Sequence, residues 1–344
     1  MTEKNGLKKE EIIGILNAAA REGRSVLGVF EYLNSPDKKS ADYYRAVENA
    51  YGVKPALFST YYPFSETEKR FLWEEADRRL IKHYNEGALC LVHSQNNRWA
   101  EDLVTEEDKT DFICNLDETN EKRNMIYYNR YLEVREQWAE ALLALKNAGV
   151  TVIYRPFVEM TNPFHWDSNT KSEKGLAAFK RVWIQLYNYM TKERGLDNLV
   201  WCFAPQAGGG AEKGLKFWPG DEFVDIIGLT LYSKGNRDGI MSVARELELW
   251  DYSEYFKLGK PVGFSELGVK PQTDEVSGEI TEPGDFSNLL KHIKSELMGK
   301  ISFCCMWAVE QGLLYEKHLF AREFVNDGFF VKLPELNRSA ETEV

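Results

Sequence analysis

Residues 131–160 read YLEVREQWAEALLALKNAGVTVIYRPFVEM, and the fold follows from them. In the first half, Leu132, Arg135, Trp138, Ala139, Leu142 and Leu145 recur at helical spacing, the mark of a helix with one face on a core. Asn147-Ala148-Gly149 is a C-terminal stop, because glycine takes the left-handed conformation that ends a helix without steric cost. The apolar run Val150–Phe157 then predicts a strand, with Glu159 just beyond it. Helix, stop, strand and a polar strand end make one αβ unit.

The same unit repeats in both directions. Further strands are predicted at Ser25–Phe30, Pro55–Thr60, Ala88–His93, Asn198–Phe203, Val224–Thr230, Pro261–Ser265 and Ile301–Trp307. Helical patterns lie between them at Ala41–Tyr51, Glu66–Asn85, Tyr127–Ala148, Gly175–Arg194, Ile240–Leu258 and Asp285–Met298. Alternating strands and helices force parallel pairing, in a doubly wound sheet or a closed barrel. A doubly wound dinucleotide fold should carry a Gly-rich phosphate turn, and none is present. Ala207-Gly208-Gly209-Gly210 lacks that spacing and reads as a loop with no helix behind it. Eight strands close a parallel barrel, so the expectation is an α/β fold of the (β/α)8 TIM-barrel type. One domain is expected over residues 1–344, with its core at about 25–330 and short polar tails.

Composition excludes several classes. With a net charge of −11, the chain lacks the clustered Lys and Arg that nucleic acid binding needs. No apolar run is long enough to span a bilayer, so no membrane partner is expected. The charged start MTEKNGLKKEEIIGIL does not read as a signal peptide; secretion is expected if an export signal has been removed, and a cytoplasmic location otherwise. Cys90, Cys114, Cys202, Cys304 and Cys305 show no CxxC spacing, their odd count leaves at least one unpaired, and Cys90, Cys202, Cys304 and Cys305, inside apolar runs, read as buried free thiols. The five His residues never pair as HxH or HExxH, so neither a metal nor another cofactor is expected. His83, His292 and His318 read as surface residues.

Barrel chemistry sits at the C-terminal ends of the strands. The polar residues there are His93, Arg155, Glu159, Gln206, Tyr232, Glu266 and Trp307. Alternation along a strand places Arg155, Phe157 and Glu159 on one face, and Val262, Phe264 and Glu266 on another. Two carboxyls then face each other from the fourth and seventh strands. Retaining glycoside hydrolysis needs such a pair, one to protonate the leaving oxygen and one to attack the anomeric carbon.

The order of these motifs resembles that of family 26 glycoside hydrolases, mainly endo-β-1,4-mannanases on a barrel with catalytic glutamates on strands four and seven. The resemblance rests on Arg155-Pro156-Phe157-Val158-Glu159-Met160 with Phe164-His165-Trp166 behind it, and on Asn198-Leu199-Val200-Trp201. It extends through Pro219–Leu229 (PGDEFVDIIGL), Lys260-Pro261-Val262 to Ser265-Glu266-Leu267-Gly268, and His93 near Asn96. It implies Glu159 as acid/base and Glu266 as nucleophile, hydrogen-bonded by Tyr232. It also implies His93, Trp166 and Trp307 lining the subsite at the scissile sugar, with Arg155 in support. Family members usually carry His where this chain has Val158, and an Asp near Thr230. The implied activity is cleavage of internal β-1,4-mannosidic bonds by double displacement. The alternatives are the same mechanism on mixed-linkage β-glucan or β-1,3-xylan, or a carbohydrate-binding barrel without catalysis. The expected partner is a neutral β-linked polysaccharide or oligosaccharide, and a monomer is expected.

Overall fold

A computed structural model describes residues 7–33, 42–94, 97–206, 210–233, 252–273 and 280–336. Its centre is a closed parallel barrel of eight strands: β1 Ser25–Phe30, β2 Leu57–Tyr61, β3 Leu89–His93, β4 Val152–Arg155, β5 Leu199–Phe203, β6 Ile226–Ser233, β7 Val262–Val269 and β8 Ile301–Met306. Each strand pairs with its neighbour in sequence, and β8 pairs back onto β1 through Val26↔Phe303 to Val29↔Met306. The (β/α)8 architecture is the one the alternation predicts. The first five strands are buried along nearly their whole length because the side chains of one face fill the barrel and those of the other meet the helices.

The helix Met125–Asn147 shows how the outer layer is held. Tyr127, Tyr131, Val134, Trp138, Leu142 and Leu145 are buried along one stripe. Burying each such side chain contributes roughly 1.5–3 kcal/mol. Asn124 caps the start by accepting a hydrogen bond from the Ile126 amide at 3.0 Å. Gly149, at φ +75°, turns the chain into β4.

Several expectations shift. The helix predicted over Glu66–Asn85 occupies only Glu74–Asn85, because Phe64–Ser65 and Arg70–Phe71 pair as a short antiparallel hairpin. Lys9–Arg21 is a helix that the charged start concealed, although Ile12, Leu16 and Ala19 give it a buried face. Gly210–Leu215 is helical, so a helix does follow the glycine run after β5. Residues 240–251 of the predicted Ile240–Leu258 helix, Ala41, Asn96 and Gly208-Gly209 lie outside the described residues, and Ser253–Lys257 is helical. His83 and His318 are buried rather than on the surface, His83 with Tyr44 and Phe58 each 4.3 Å away between ring centres. All five cysteines are free and buried.

Candidate active site at the barrel mouth

Glu266 reaches the inner face of the barrel through a β-bulge. The β6–β7 register runs Leu229↔Phe264 and then Thr230↔Glu266, leaving Ser265 as the extra residue. Below the bulge, a Cβ on Gly263 would point at the Phe303 ring, and one on Gly228 would meet Ser265 and Cys202. Gly263 and Ser265 therefore share the inner face, with Val262 and Phe264 on the other. The simple alternation that puts Glu266 with Val262 and Phe264 is wrong; the bulge turns Glu266 inward.

Glu159 departs from alternation as well. β4 ends at Arg155, and Phe157 points outward to pack on Phe179 and Trp183 of the following helix, Glu173–Asn188. Arg155, Phe157 and Glu159 therefore do not share a face. Glu159 sits at φ +48°, in the left-handed region that side chains other than glycine rarely adopt. Such a conformation costs on the order of 1–3 kcal/mol and persists only where the surroundings enforce it. Here the Glu159 amide donates to the Ala204 carbonyl at 2.8 Å, and the Glu159 carbonyl accepts from the Asn162 amide at 2.6 Å.

Arg155 organises the floor. It is fully buried, and its Nη1 donates to Glu266 Oε1 in an ion pair. Nη2 donates to Thr230 Oγ1 at 2.9 Å, and Nη1 lies 3.2 Å from His93 Nε2. Arg155 Nε has no hydrogen-bond partner among the described residues. The other oxygen of Glu266 accepts from the Tyr232 hydroxyl at 2.8 Å. Gly268 makes room for this contact, since a Cβ there would lie 3.2 Å from the Tyr232 ring and 2.6 Å from the Gln311 carbonyl.

The two carboxyls feel different environments. Burial pushes Glu266 above the ordinary carboxylate range and the charge of Glu159 adds to this, while Arg155 and Tyr232 oppose it; the net direction is up. Burial acts the same way on Glu159, but His165 and Asn162 outweigh it, helped by Arg155, and the net direction is down. Asn162 Nδ2 donates to Glu159 Oε2 at 2.8 Å, and His165 Nε2 stands 3.5 Å from the same oxygen. Burial, then Arg155 and His165, hold His93 well below the usual imidazole range, so its ring is neutral.

The sequence-derived residues divide into two groups. Glu266, Arg155, His93 and Tyr232 form one connected cluster, and the charge of Glu159 acts on Glu266 from beside it. Within it Arg155 is fully buried, while His93, at 4% exposure, is covered about as much as Glu266 at 6%. Trp307 stands beside it, stacked on Phe30 at 4.0 Å with its edge toward Tyr232 at 6.1 Å. Trp166 packs edge-on against Phe112, with Lys109 over its ring, and lines a cleft of about 760 Å³ together with Phe164. Sequence reasoning gave no role to Phe30, Tyr32 and Tyr61, which box Trp307 and His93, or to Asn162 and His165. Tyr61 closes β2, so the strand-end rule that selected His93 would have found it.

Not every carboxyl at a strand end belongs to this cluster. Glu31, just past β1, pairs with Arg79 and accepts from the Tyr44 amide at 3.1 Å, which ties the chain after β1 to helix Glu74–Asn85. Val158 is 6% exposed yet stands outside the continuous apolar core. Among the described residues no group of three or more His, Cys, Asp or Glu could hold a metal ion. Nor is any described helix long and apolar enough to cross a membrane.

Comparison with known proteins places this geometry in context. The pattern of Glycosyl hydrolase family 26 matches residues 30–263. A mannan endo-1,4-beta-mannosidase of Bacillus subtilis is 35% identical over 134 residues, which is 38% of this chain and 34% of that protein. A second, from Bacillus subtilis strain 168, is 31% identical over 169 residues, 48% of this chain and 41% of that protein. The chain thus aligns with less than half the length of these curated relatives. The solved Bacillus subtilis mannanase BCman superposes with a TM-score of 0.74 at 21% identity, covering 96% of this chain and 94% of its own, a likeness of fold.

Proposed function

Since the chain belongs to glycosyl hydrolase family 26, we propose that it hydrolyses internal β-1,4-mannosidic bonds of mannan-type polysaccharides with retention of configuration. Glu266 is the nucleophile and Glu159 the acid/base. The observation that carries this reading is the pair itself: Glu266 is held by Arg155 and Tyr232, with Glu159 close enough for its charge to act on Glu266.

In the first step, Glu266 attacks the anomeric carbon as Glu159 gives its proton to the departing oxygen. The resulting ester removes the charge of Glu266. The Arg155 cation then has Glu159 as its nearest acidic counterpart in the site, which favours the ionised Glu159 that the second step requires. That carboxylate takes a proton from water, the water oxygen attacks the anomeric carbon, and Glu266 is released. In the unliganded protein, Glu266 binds its proton more tightly than an ordinary carboxyl and Glu159 less tightly. The productive state has the opposite distribution, so sugar in the cleft must favour it by burying Glu159 and offering its proton a glycosidic oxygen. A bell-shaped kcat/KM profile is expected, with both limbs belonging to the coupled pair.

Mannan as substrate is supported by the curated relatives, each a mannan endo-1,4-beta-mannosidase. Val158 favours a second reading, in which the mechanism is kept and the sugar is that of mixed-linkage β-glucan or β-1,3-xylan, because this buried position beside Glu159 offers no polar atom. Reducing-end release from mannan, glucomannan, mixed-linkage β-glucan and β-1,3-xylan decides between them. Mannan cleaved fastest, with internal cuts, is the expected result; binding without products from any of the four would sink the enzymatic reading.

Gly268 supplies a test of the Tyr232 contact. Gly268→Ala is expected to push on the Gln311 carbonyl first and on the Tyr232 ring as well, weakening its hold on Glu266 and lowering kcat by about 10-fold or more, the scale of one hydrogen bond to a charged group (roughly 1.5–3 kcal/mol). Tyr232→Phe should match it. Unchanged kcat in Gly268→Ala, measured beside a melting curve, would mean that the contact does not depend on Gly268.

A further inference from the structure

The side chain immediately before the acid/base is Val158, which has no hydrogen-bonding atom, so Glu159 must be held from elsewhere. Among the described residues, the side chains that approach its carboxyl directly come from the loop behind it. Asn162 donates to Oε2, His165 approaches the same Oε2, and among the described residues Oε1 accepts nothing. That asymmetry leaves Oε1 as the oxygen that can carry the mobile proton.

His165 is built into place. Its amide donates to the Asn162 carbonyl at 3.0 Å, and its own carbonyl accepts from the amides of Ser168 and Asn169 at 3.1 and 2.7 Å. Asn169 Nδ2 in turn donates to the Met160 carbonyl at 2.8 Å, closing the loop on the residue after Glu159. The His165 ring is largely covered, and its Nδ1 is buried with no hydrogen-bond partner among the described residues. A buried imidazole nitrogen left unsatisfied costs stability, and such a cost is kept where the residue serves the site in another way. The other nitrogen faces Glu159.

We propose that His165 is a positioning residue for the acid/base: it anchors Glu159 through Oε2, directs Oε1 to the substrate, and controls when the carboxyl carries its proton. The inference rests on the role proposed for Glu159 and adds to it the group that tunes that role. Among the described residues, the other charged or titratable groups near Glu159 are Arg155 from β4, Glu266 from β7 and Tyr232 from β6, and the neutral His93 of β3 senses His165. Of these, Arg155 is committed to Glu266 by a direct ion pair. His165 can therefore be altered without breaking that pair.

The test is a carbon-13 NMR titration of the Glu159 carboxyl in the intact protein, assigned by its loss in Glu159→Gln, for wild type, His165→Gln and His165→Phe. Removing a group that favours the charged carboxylate must raise the pH at which Glu159 ionises. The expected shift is upward by about one pH unit in His165→Phe, the scale of a charged or hydrogen-bonding neighbour within 4–6 Å. His165→Gln, which keeps a donor, should shift less. Alongside it, kcat on mannooligosaccharides should fall in His165→Phe and recover in His165→Gln. Two folded variants whose Glu159 titrates as in wild type would overturn the inference. Because the titration needs no turnover, a protein that hydrolyses nothing would refute the proposed function while still deciding whether His165 governs Glu159.

Discussion

Glu266→Ala is expected to lower kcat on mannan by about 10⁴-fold or more, the range seen when a covalent nucleophile is removed from a site whose other parts remain. The chemistry makes the loss this large, since without the carboxylate no glycosyl ester forms and the acid/base has nothing to work against. The substitution also strands Arg155, which is fully buried and whose other side-chain hydrogen-bond partners among the described residues are the neutral His93 and Thr230. An unpaired buried cation costs about 3–5 kcal/mol, so the alanine protein should also be less stable. Glu266→Gln separates the two effects. The amide keeps an oxygen for Arg155 and fills the same volume, so it should fold better than the alanine variant and be just as inactive. Steady-state kinetics beside urea unfolding checks this, and an alanine variant that cleaves mannan at the wild-type rate would remove Glu266 from the mechanism.

Arg155→Met has the second-largest expected effect, and it acts through the other half of the pair. Removing the guanidinium leaves Glu266 buried with Tyr232 as its remaining donor. Burial already raises the proton affinity of Glu266, and Arg155 is the main group that opposes it. With Arg155 gone the carboxyl ionises only at still higher pH. Since attack requires the ionised form, activity is lost first at the acid end and recovers, if at all, toward alkaline pH. Stability should fall by about 3–5 kcal/mol where Glu266 remains charged. It should fall less where the pH is low enough to protonate Glu266, because a neutral carboxyl needs no cation. Urea midpoints measured across the pH range test that sign: a loss of stability that is flat with pH would mean that packing, not charge, is what Arg155 supplies.

The barrel was legible in the chain because each strand is a short apolar run fenced by a glycine or polar stop, as in Asn147-Ala148-Gly149 before β4. β1 falls on its predicted bounds, and most other strands shift by one to four residues at their ends. Which residues line the mouth was legible too, since a polar side chain closing an apolar run has few other places to be. The reason each one points inward was not legible. Strand alternation chose Glu159 and Glu266, yet neither arrives by alternation: one needs a left-handed residue and the other a bulge at Ser265. Both are local departures from ideal backbone, set by contacts between strands far apart in sequence, such as Glu159 with Ala204. Such contacts leave no periodic trace.

Trp166 illustrates the opposite limit. It lies in the quoted motif, yet Lys109 and Phe112 from the long loop after β3 cover it and turn it into the cleft that Phe164 also lines. His165, one residue earlier, reaches Glu159 instead. A turn in which one side chain serves the carboxyl and the next serves packing cannot be apportioned from composition alone.

The central claim is that Glu266 forms a covalent bond to the sugar, and trapping that bond tests it most directly. A 2-deoxy-2-fluoro-β-mannosyl fluoride extended by further mannose units should glycosylate the protein and release slowly: the 2-fluorine destabilises the oxocarbenium-like transition states of both steps, while loss of the anomeric fluoride as a good leaving group keeps the first step fast enough for the ester to accumulate. Peptide mass mapping of the inactivated protein is expected to place one sugar on the peptide carrying Glu266, with Glu159 unmodified. A sugar on Glu159, or turnover that yields the inverted anomer with no trapped ester, would contradict the account.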